Sequence, residues 1–164
     1  RQLTNALTHI DAEGRARMVD VGAKEMTARR ARAYGEIRMK PAVLRRLLRG
    51  GTAKGDAIAV ANIAGVLAAK RVDELIPLCH GLSLDSVRLT FTPKPGRLCV
   101  TAETMVQGRT GVEMEALTAV AVACLTIYDM AKAADRAMTI GSIQLLEKEG
   151  GRSGRYVRAK RGAR

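Results

Sequence analysis

Hydrophobic and polar positions alternate in some stretches of the chain and recur every three or four residues in others. Residues 30–39, RARAYGEIRM, alternate in part and predict a half-exposed strand. Leu84 to Thr92 sets Leu84, Val87, Leu89 and Phe91 against polar neighbours, which predicts a second strand. Pro93-Lys94-Pro95-Gly96 then reads as a turn, and Arg97 to Gln107 as the return strand of a hairpin. Thr139 to Lys148 predicts the last strand. Pro41 suits the first turn of a short basic helix over Ala42–Leu48. Asp56 to Arg71 predicts a longer helix, and Ala57, Ala61, Ala64, Gly65 and Ala68 predict that it packs closely on a sheet. A third helix should follow Gly108-Arg109-Thr110-Gly111 and run to about Ala134, with Thr110 and Glu113 spaced as a capping box. Leu117, Ala121, Cys124, Tyr128 and Ala131 form its expected buried stripe.

The long elements follow the order strand, helix, strand, strand, helix, strand. That is the ferredoxin-like split βαβ pattern, an α+β fold with an antiparallel sheet and both long helices on one face. The other face or an edge would be open to association. A length of 164 residues suits a single domain spanning 1–164, with an irregular segment over 1–20. Leu75 to Gly81 is interrupted by Pro77 and reads as a loop with apolar anchors.

Composition narrows the picture. Apolar residues make up 47% of the chain, yet there is no Trp and only one Phe, so the core must be aliphatic. The net charge is +12, and residues 152–164 hold six Lys or Arg and no acid. Without them 28 − 6 = 22 basic residues face 16 acidic ones, so the body is still near +6. Residues 152–164 are expected to be a flexible basic tail. The body favours an anionic partner, either nucleic acid or a small phosphorylated ligand. A nucleic-acid-binding sheet would carry stacking aromatics on its strands, and these strands offer little beyond Phe91. Three cysteines without a C-x-x-C argue for a reducing, cytoplasmic setting, and two histidines argue against a His-rich metal site. Residues 1–10 lack the apolar core of a secretory leader. The longest apolar run, Ala116–Tyr128, has 13 residues and reads as a buried helix, not a membrane span.

Several residues could carry chemistry. Asp129 and Lys132 stand at i, i+3 on the last helix, where a carboxylate and an ammonium interact. Such a pair can move protons, and it can equally be a surface ion pair worth about 0.3–0.5 kcal/mol. Lys54 lies in the glycine-bearing loop GGTAKGD, where backbone N–H groups and a helix start attract anions, although the spacing is not that of a Walker loop. Asp56 also reads as a plain helix N-cap. His80 follows Pro77-Leu78-Cys79 and would sit at a pocket rim or be a hydrogen-bonded loop residue. Cys79 reads as a small apolar residue, since no activating partner is evident. Glu113 is explained by the capping box, whereas Glu115 and its neighbour Met114 are not. Arg29, Lys148 and Arg152 are further phosphate candidates. Glu115 and Asp129 are 14 residues apart, about 21 Å along one helix, so a small ligand touching both ends requires a site shared between subunits.

The strings Lys54-Gly55-Asp56, Leu75-Ile76-Pro77-Leu78-Cys79-His80, Thr110-Gly111-Val112-Glu113-Met114-Glu115-Ala116-Leu117-Thr118-Ala119, Leu125-Thr126-Ile127-Tyr128-Asp129-Met130-Ala131-Lys132-Ala133 and Gly150-Gly151-Arg152-Ser153-Gly154 closely resemble those of the molybdenum cofactor biosynthesis protein C family, the cyclic pyranopterin monophosphate synthases. The resemblance covers about residues 7–157. It implies a lyase that converts 3′,8-cyclo-7,8-dihydro-GTP to cyclic pyranopterin monophosphate and releases pyrophosphate. It implies no metal and no organic cofactor. It also implies a homo-hexamer, a trimer of dimers with active sites at a dimer interface, and a functional link to the radical enzyme that cyclises GTP. By position it makes Asp129 and Lys132 catalytic. It places Leu78, Cys79, His80, Met114, Glu115, Lys54, Arg29 and Lys148 against the substrate. Two departures stand out. Gly81 replaces the more usual proline, which is expected to loosen its loop, and Arg152 stands where Lys is common. Arg keeps the charge and cannot act as a base.

Overall fold

The computed structural model describes residue 10 and residues 13–50 and 55–159. Its elements are β1 (Thr27–Arg38), α1 (Pro41–Leu48), α2 (Ala57–Ala69), α3 (Val72–Leu75), β2 (Ser86–Lys94), β3 (Arg97–Gly108), α4 (Glu113–Ala131), β4 (Thr139–Glu149) and β5 (Tyr156–Val157). The sheet order is β2-β3-β1-β4-β5, and every neighbouring pair is antiparallel. The first four strands and the two long helices α2 and α4 give the ferredoxin-like α+β fold. Lys54 and His9 lie outside the described residues, as do residues 160–164.

Strand β1 shows why the layers stack as they do. Its inward residues Ala31, Ala33 and Ile37 are almost fully buried. Gly35 shares that face, and a Cβ there would come within 2.5 Å of Val120 on α4. Small residues on the central strand thus let α4 lie close to the sheet. Helix α2 packs in turn on α4 and β2, where a Cβ at Gly65 would meet Leu89 at 2.5 Å and the Ala119 carbonyl at 3.0 Å. The predicted close packing of α2 is therefore with a helix as well as a strand. Phe91 packs against the core cluster, so it is not available on the open face.

The opposite face of β1 carries Arg30, Arg32, Tyr34, Glu36 and Arg38. Arg30 pairs with Glu103 at 2.5 Å, and Arg38 and Arg97 pair with Glu36 at 2.9 and 3.5 Å. Burial disfavours the charge on Glu36, but the Tyr34 hydroxyl and the two arginines outweigh it and hold the carboxyl below its ordinary range.

Three expectations about α4 are corrected. Its N-cap is Val112, with no side-chain cap, so Thr110 and Glu113 form no capping box. The Glu113 carboxylate instead fills the space that a Cβ would take at Gly111. The helix ends at Ala131 rather than Ala134. Its buried apolar residues are Ala116, Ala119, Val120, Ala123, Cys124, Ile127 and Ala131, while Leu117, Ala121 and Tyr128 are only partly buried. The stripe is rotated toward the alanines because the sheet and α2 both approach closely. By length and hydropathy α4 passes for a membrane span. Its place between the sheet and α2 accounts for its apolar character. Asp56 caps α2, accepting from the N–H groups of Ile58 and Ala59 at 2.9 and 3.1 Å.

Residues beyond Gly150 add structure that the hydropathy pattern does not show. Tyr156 and Val157 pair with Lys148 and Glu147 as the edge strand β5. The first part of the basic tail is therefore docked on the sheet.

Candidate active site

The start of α4 is fixed by its neighbours. The buried Thr104 hydroxyl of β3 donates to the Val112 carbonyl at 3.0 Å. This sets Met114 and Glu115 facing the 76–82 loop. Between them and the 19–24 segment lies a cleft of about 380 Å³, walled by Leu78, Cys79, His80, Leu82, Met114 and Glu115. The structure thus brings together five of the predicted substrate residues. Gly81 at this loop is packed, since a Cβ there would meet a carboxylate oxygen of Asp73 at 2.8 Å.

Glu115 is the unusual group here. It is 3% exposed, and its Oε2 has no hydrogen-bond partner. Burial pushes its carboxyl up to about 7, with Glu113 and Asp73 adding to the shift and a backbone hydrogen bond opposing it. Near neutrality the group is poised to give or take a proton. Burial, then Glu115 and Asp73, push the Cys79 thiol up, which disfavours the thiolate.

A second cleft, of about 850 Å³, opens beside the first. The two share Lys24, Thr110, Gly111 and Glu113, so they adjoin, and together they make the groove of the candidate site. The second cleft's charge comes from Lys24, Arg29, Arg30, Arg109, Lys148 and Arg152, against Glu25, Glu113 and Glu149. Arg29 donates to the carbonyls of Gly108 and Arg109 at 3.3 and 3.4 Å, and Arg109 to the Lys24 carbonyl at 3.1 Å. These contacts bind the ends of β1 and β3 to the 19–24 segment. Gly150 and Gly151 have φ of +94° and +72°. Side chains there would strike the Ala28 carbonyl and the Arg29 guanidinium. Only glycine lets the loop close down on Arg29. Lys148 Nζ hydrogen-bonds Ser153 Oγ across the same loop.

Sequence reasoning missed Lys24 and Arg109. Lys24 sits in a segment without periodicity, and Arg109 lies between the strand and helix signals. For Arg109 the one available clue was a basic residue close to Gly111, and for Lys24 there was none.

Asp129 and Lys132 are not in this groove. They form an ion pair of 2.5 Å at the far end of α4, about half exposed. Lys132 follows the last turn of the helix, its N–H bonded to the Tyr128 carbonyl at 2.8 Å. Within one chain the structure does not bring this pair to Glu115 and His80. Among the described residues no cluster of three or more His, Cys, Asp or Glu is placed to hold a metal.

A cleft with apolar walls and the buried acid Glu115, adjoining a cationic one, suits a ligand with a heterocycle at one end and phosphates at the other. The cyclic pyranopterin monophosphate synthase 1 of Mycobacterium tuberculosis is 61% identical over 155 residues, covering 94% of this chain and 91% of that protein. The cyclic pyranopterin monophosphate synthases of a Methylobacterium species and of Magnetococcus marinus are 59% and 58% identical, each over 93% of this chain and over 96% and 94% of their own lengths. The MoaC family matches residues 18–151, and the chain belongs to that family.

Proposed function

We propose that the chain is a cyclic pyranopterin monophosphate synthase of molybdenum cofactor biosynthesis. It converts 3′,8-cyclo-7,8-dihydro-GTP to cyclic pyranopterin monophosphate and pyrophosphate. The observation that carries this reading is the pair of adjoining clefts, one walled by buried Glu115 and the other by Arg29, Lys148 and Arg152.

The groove divides the work. Leu78, Cys79, His80 and Met114 hold the heterocycle, where Glu115 exchanges a proton. Lys24, Arg29, Arg109, Lys148 and Arg152 bind the triphosphate. Lys54, three residues before α2 in the sequence, is a further phosphate ligand. Closing the cyclic phosphate makes one bond, from a sugar hydroxyl oxygen to the α-phosphorus, and breaks one, to the oxygen bridging to the β-phosphorus. The hydroxyl proton passes to a base and pyrophosphate leaves. Fixed cations stabilise the charge on the leaving oxygens. Asp129 and Lys132 supply proton transfer, with Lys132 active in its neutral form as a base or charged as an acid.

Asp129 and Lys132 reach the groove from another copy of the chain. About 21 Å of helix separates Asp129 from Glu115 within one copy, so one chain cannot supply both ends of the site. Association is supported by the outer face of α2, where Val60, Ile63 and Leu67 are 43%, 61% and 48% exposed. We place the assembly as a hexamer, a trimer of dimers, acting after a radical enzyme that cyclises GTP. Three free cysteines fit a reducing cytoplasm.

The test is direct. Purified protein given the cyclised dihydro-GTP should release the pyranopterin and pyrophosphate in equal amounts. Binding without release of either product would overturn the assignment.

A further inference from the structure

The docked part of the basic tail has no task in the account above, yet its contacts are specific. After β4 the chain turns through Gly150–Gly154, and the Gly154 N–H closes the turn on the Gly151 carbonyl at 3.0 Å. The chain then returns as β5, and the Arg158 N–H bonds the Leu146 carbonyl at 2.7 Å. Two paired residues, Tyr156 and Val157, are 41% and 57% exposed, so burial contributes little to holding them. The firmest attachment is polar. Arg155 Nη2 and Nε both donate to Glu147 Oε1, at 2.7 and 3.2 Å, and Nε lies 3.3 Å from Glu149 Oε1. The same two carboxylates meet Arg32 and Arg30 of β1 at 4.0 and 3.9 Å. An isolated exposed ion pair would count for little. A forked arginine shared by two carboxylates inside a larger charge network holds a defined geometry.

What this clasp closes is the turn itself. Gly150, Gly151, Arg152 and Ser153 form one wall of the cationic cleft, and Lys148 touches Ser153 across it. We infer that Arg155, acting through Glu147 and Glu149, is a positioning residue that holds the Gly150–Gly154 turn as a preformed wall of the phosphate cleft. The C-terminal strand is then part of the phosphate-binding apparatus. A wall ordered in advance need not be ordered at the expense of binding free energy.

This inference rests on the reading of the cleft as the triphosphate site, and the experiment separates the two. Binding of inorganic tripolyphosphate to the full chain is measured by calorimetry for wild type, Arg155→Ala, Arg155→Lys and Lys148→Ala. Melting midpoints and KM and kcat for the cyclised dihydro-GTP are measured alongside. Arg155→Ala should weaken tripolyphosphate binding about tenfold and raise KM in step, with kcat and the melting midpoint near wild type. Arg155→Lys keeps the charge without the fork and should recover only part of the affinity. Full recovery by Lys would mean that charge alone matters and would overturn the inference. Parallel losses of kcat and melting stability would also overturn it, by showing a general structural role. Normal binding by Arg155→Ala with weak binding by Lys148→Ala would remove the inference and leave the cleft's assignment standing. Normal binding by both would remove the assignment as well.

Discussion

The Asp135 carboxylate accepts the backbone N–H of Lys40 at 3.0 Å, tying the turn after α4 to the entry of α1. Its other oxygen accepts the N–H of Ala137 at 3.1 Å, and the side chain is almost wholly buried. Tyr128 reinforces this turn by donating its hydroxyl to the Arg136 carbonyl at 3.0 Å. Lys132 lies within the segment so fixed. Asp135→Ala removes the acceptor from the part-buried Lys40 and Ala137 N–H groups and should cost about 1–3 kcal/mol of stability. Chemical denaturation measures this. Turnover at temperatures where the variant remains folded should fall more than substrate affinity, because the lysine loses its fixed support.

Glu115 predicts a pH dependence of stability. Its folded carboxyl titrates near 7 and the ordinary value is 4.5, so between these the folded state binds more protons than the unfolded state. Stability from this group is therefore fully present below about pH 4.5 and is lost as pH rises through 7. Glu115→Gln removes that loss. Relative to wild type, the variant should gain stability from pH 5 to pH 8, by up to about 3 kcal/mol. Denaturation midpoints at the two pH values test it, and a difference that does not change with pH would refute it. Activity should drop in the same variant, since an amide exchanges no proton.

Gly151 carries a positive φ and rests against Arg29. Gly151→Ala should cost roughly 1–2 kcal/mol and displace the Arg29 guanidinium from its bonds to Gly108 and Arg109. Pyrophosphate binding should weaken about tenfold or more. A variant that binds pyrophosphate like wild type would show that the tight loop has no part in anion binding.

Gly65 makes a purely structural prediction. An alanine there meets Leu89 and the Ala119 carbonyl. Gly65→Ala should push α2 off α4 and lower stability by about 1–3 kcal/mol, outweighing the better helix propensity of alanine. Thermal melting measures the sign, and a stabilised variant would contradict the packing described here.

The fold was legible where periodicity was strong. Alternation in β1, β2 and β3 and the glycine-proline turn between β2 and β3 were enough for the hairpin and for the split βαβ succession of elements along the chain. The alanine-rich helices were legible as helices, but not which residues they bury. Close approach on two sides rotates α4's buried face toward Ala116, Ala119 and Ala123, and propensity carries no record of that. Strand β5 is two residues long and is held by Arg155, so it has no alternation to detect. Thr110 and Glu113 had the spacing of a capping box, but Glu113 turns toward Gly111 instead. Of the site, Leu78, Cys79, His80, Met114, Glu115, Arg29 and Lys148 fall in one groove. Lys24 and Arg109 join them only because β1 and β3 end side by side, a tertiary fact that no local pattern encodes.

The central claim is that one working site joins the groove of one copy to Asp129 and Lys132 of another. Lys132→Ala and Lys148→Ala variants, each inactive alone, are mixed in equal amounts under conditions that allow subunit exchange, and pyranopterin formation is measured. Random mixing pairs an intact groove with an intact Lys132 in about one site in four, so activity should return to roughly a quarter of wild type. If exchange is demonstrated and no activity returns, each chain carries its own complete site and the shared-site account is wrong.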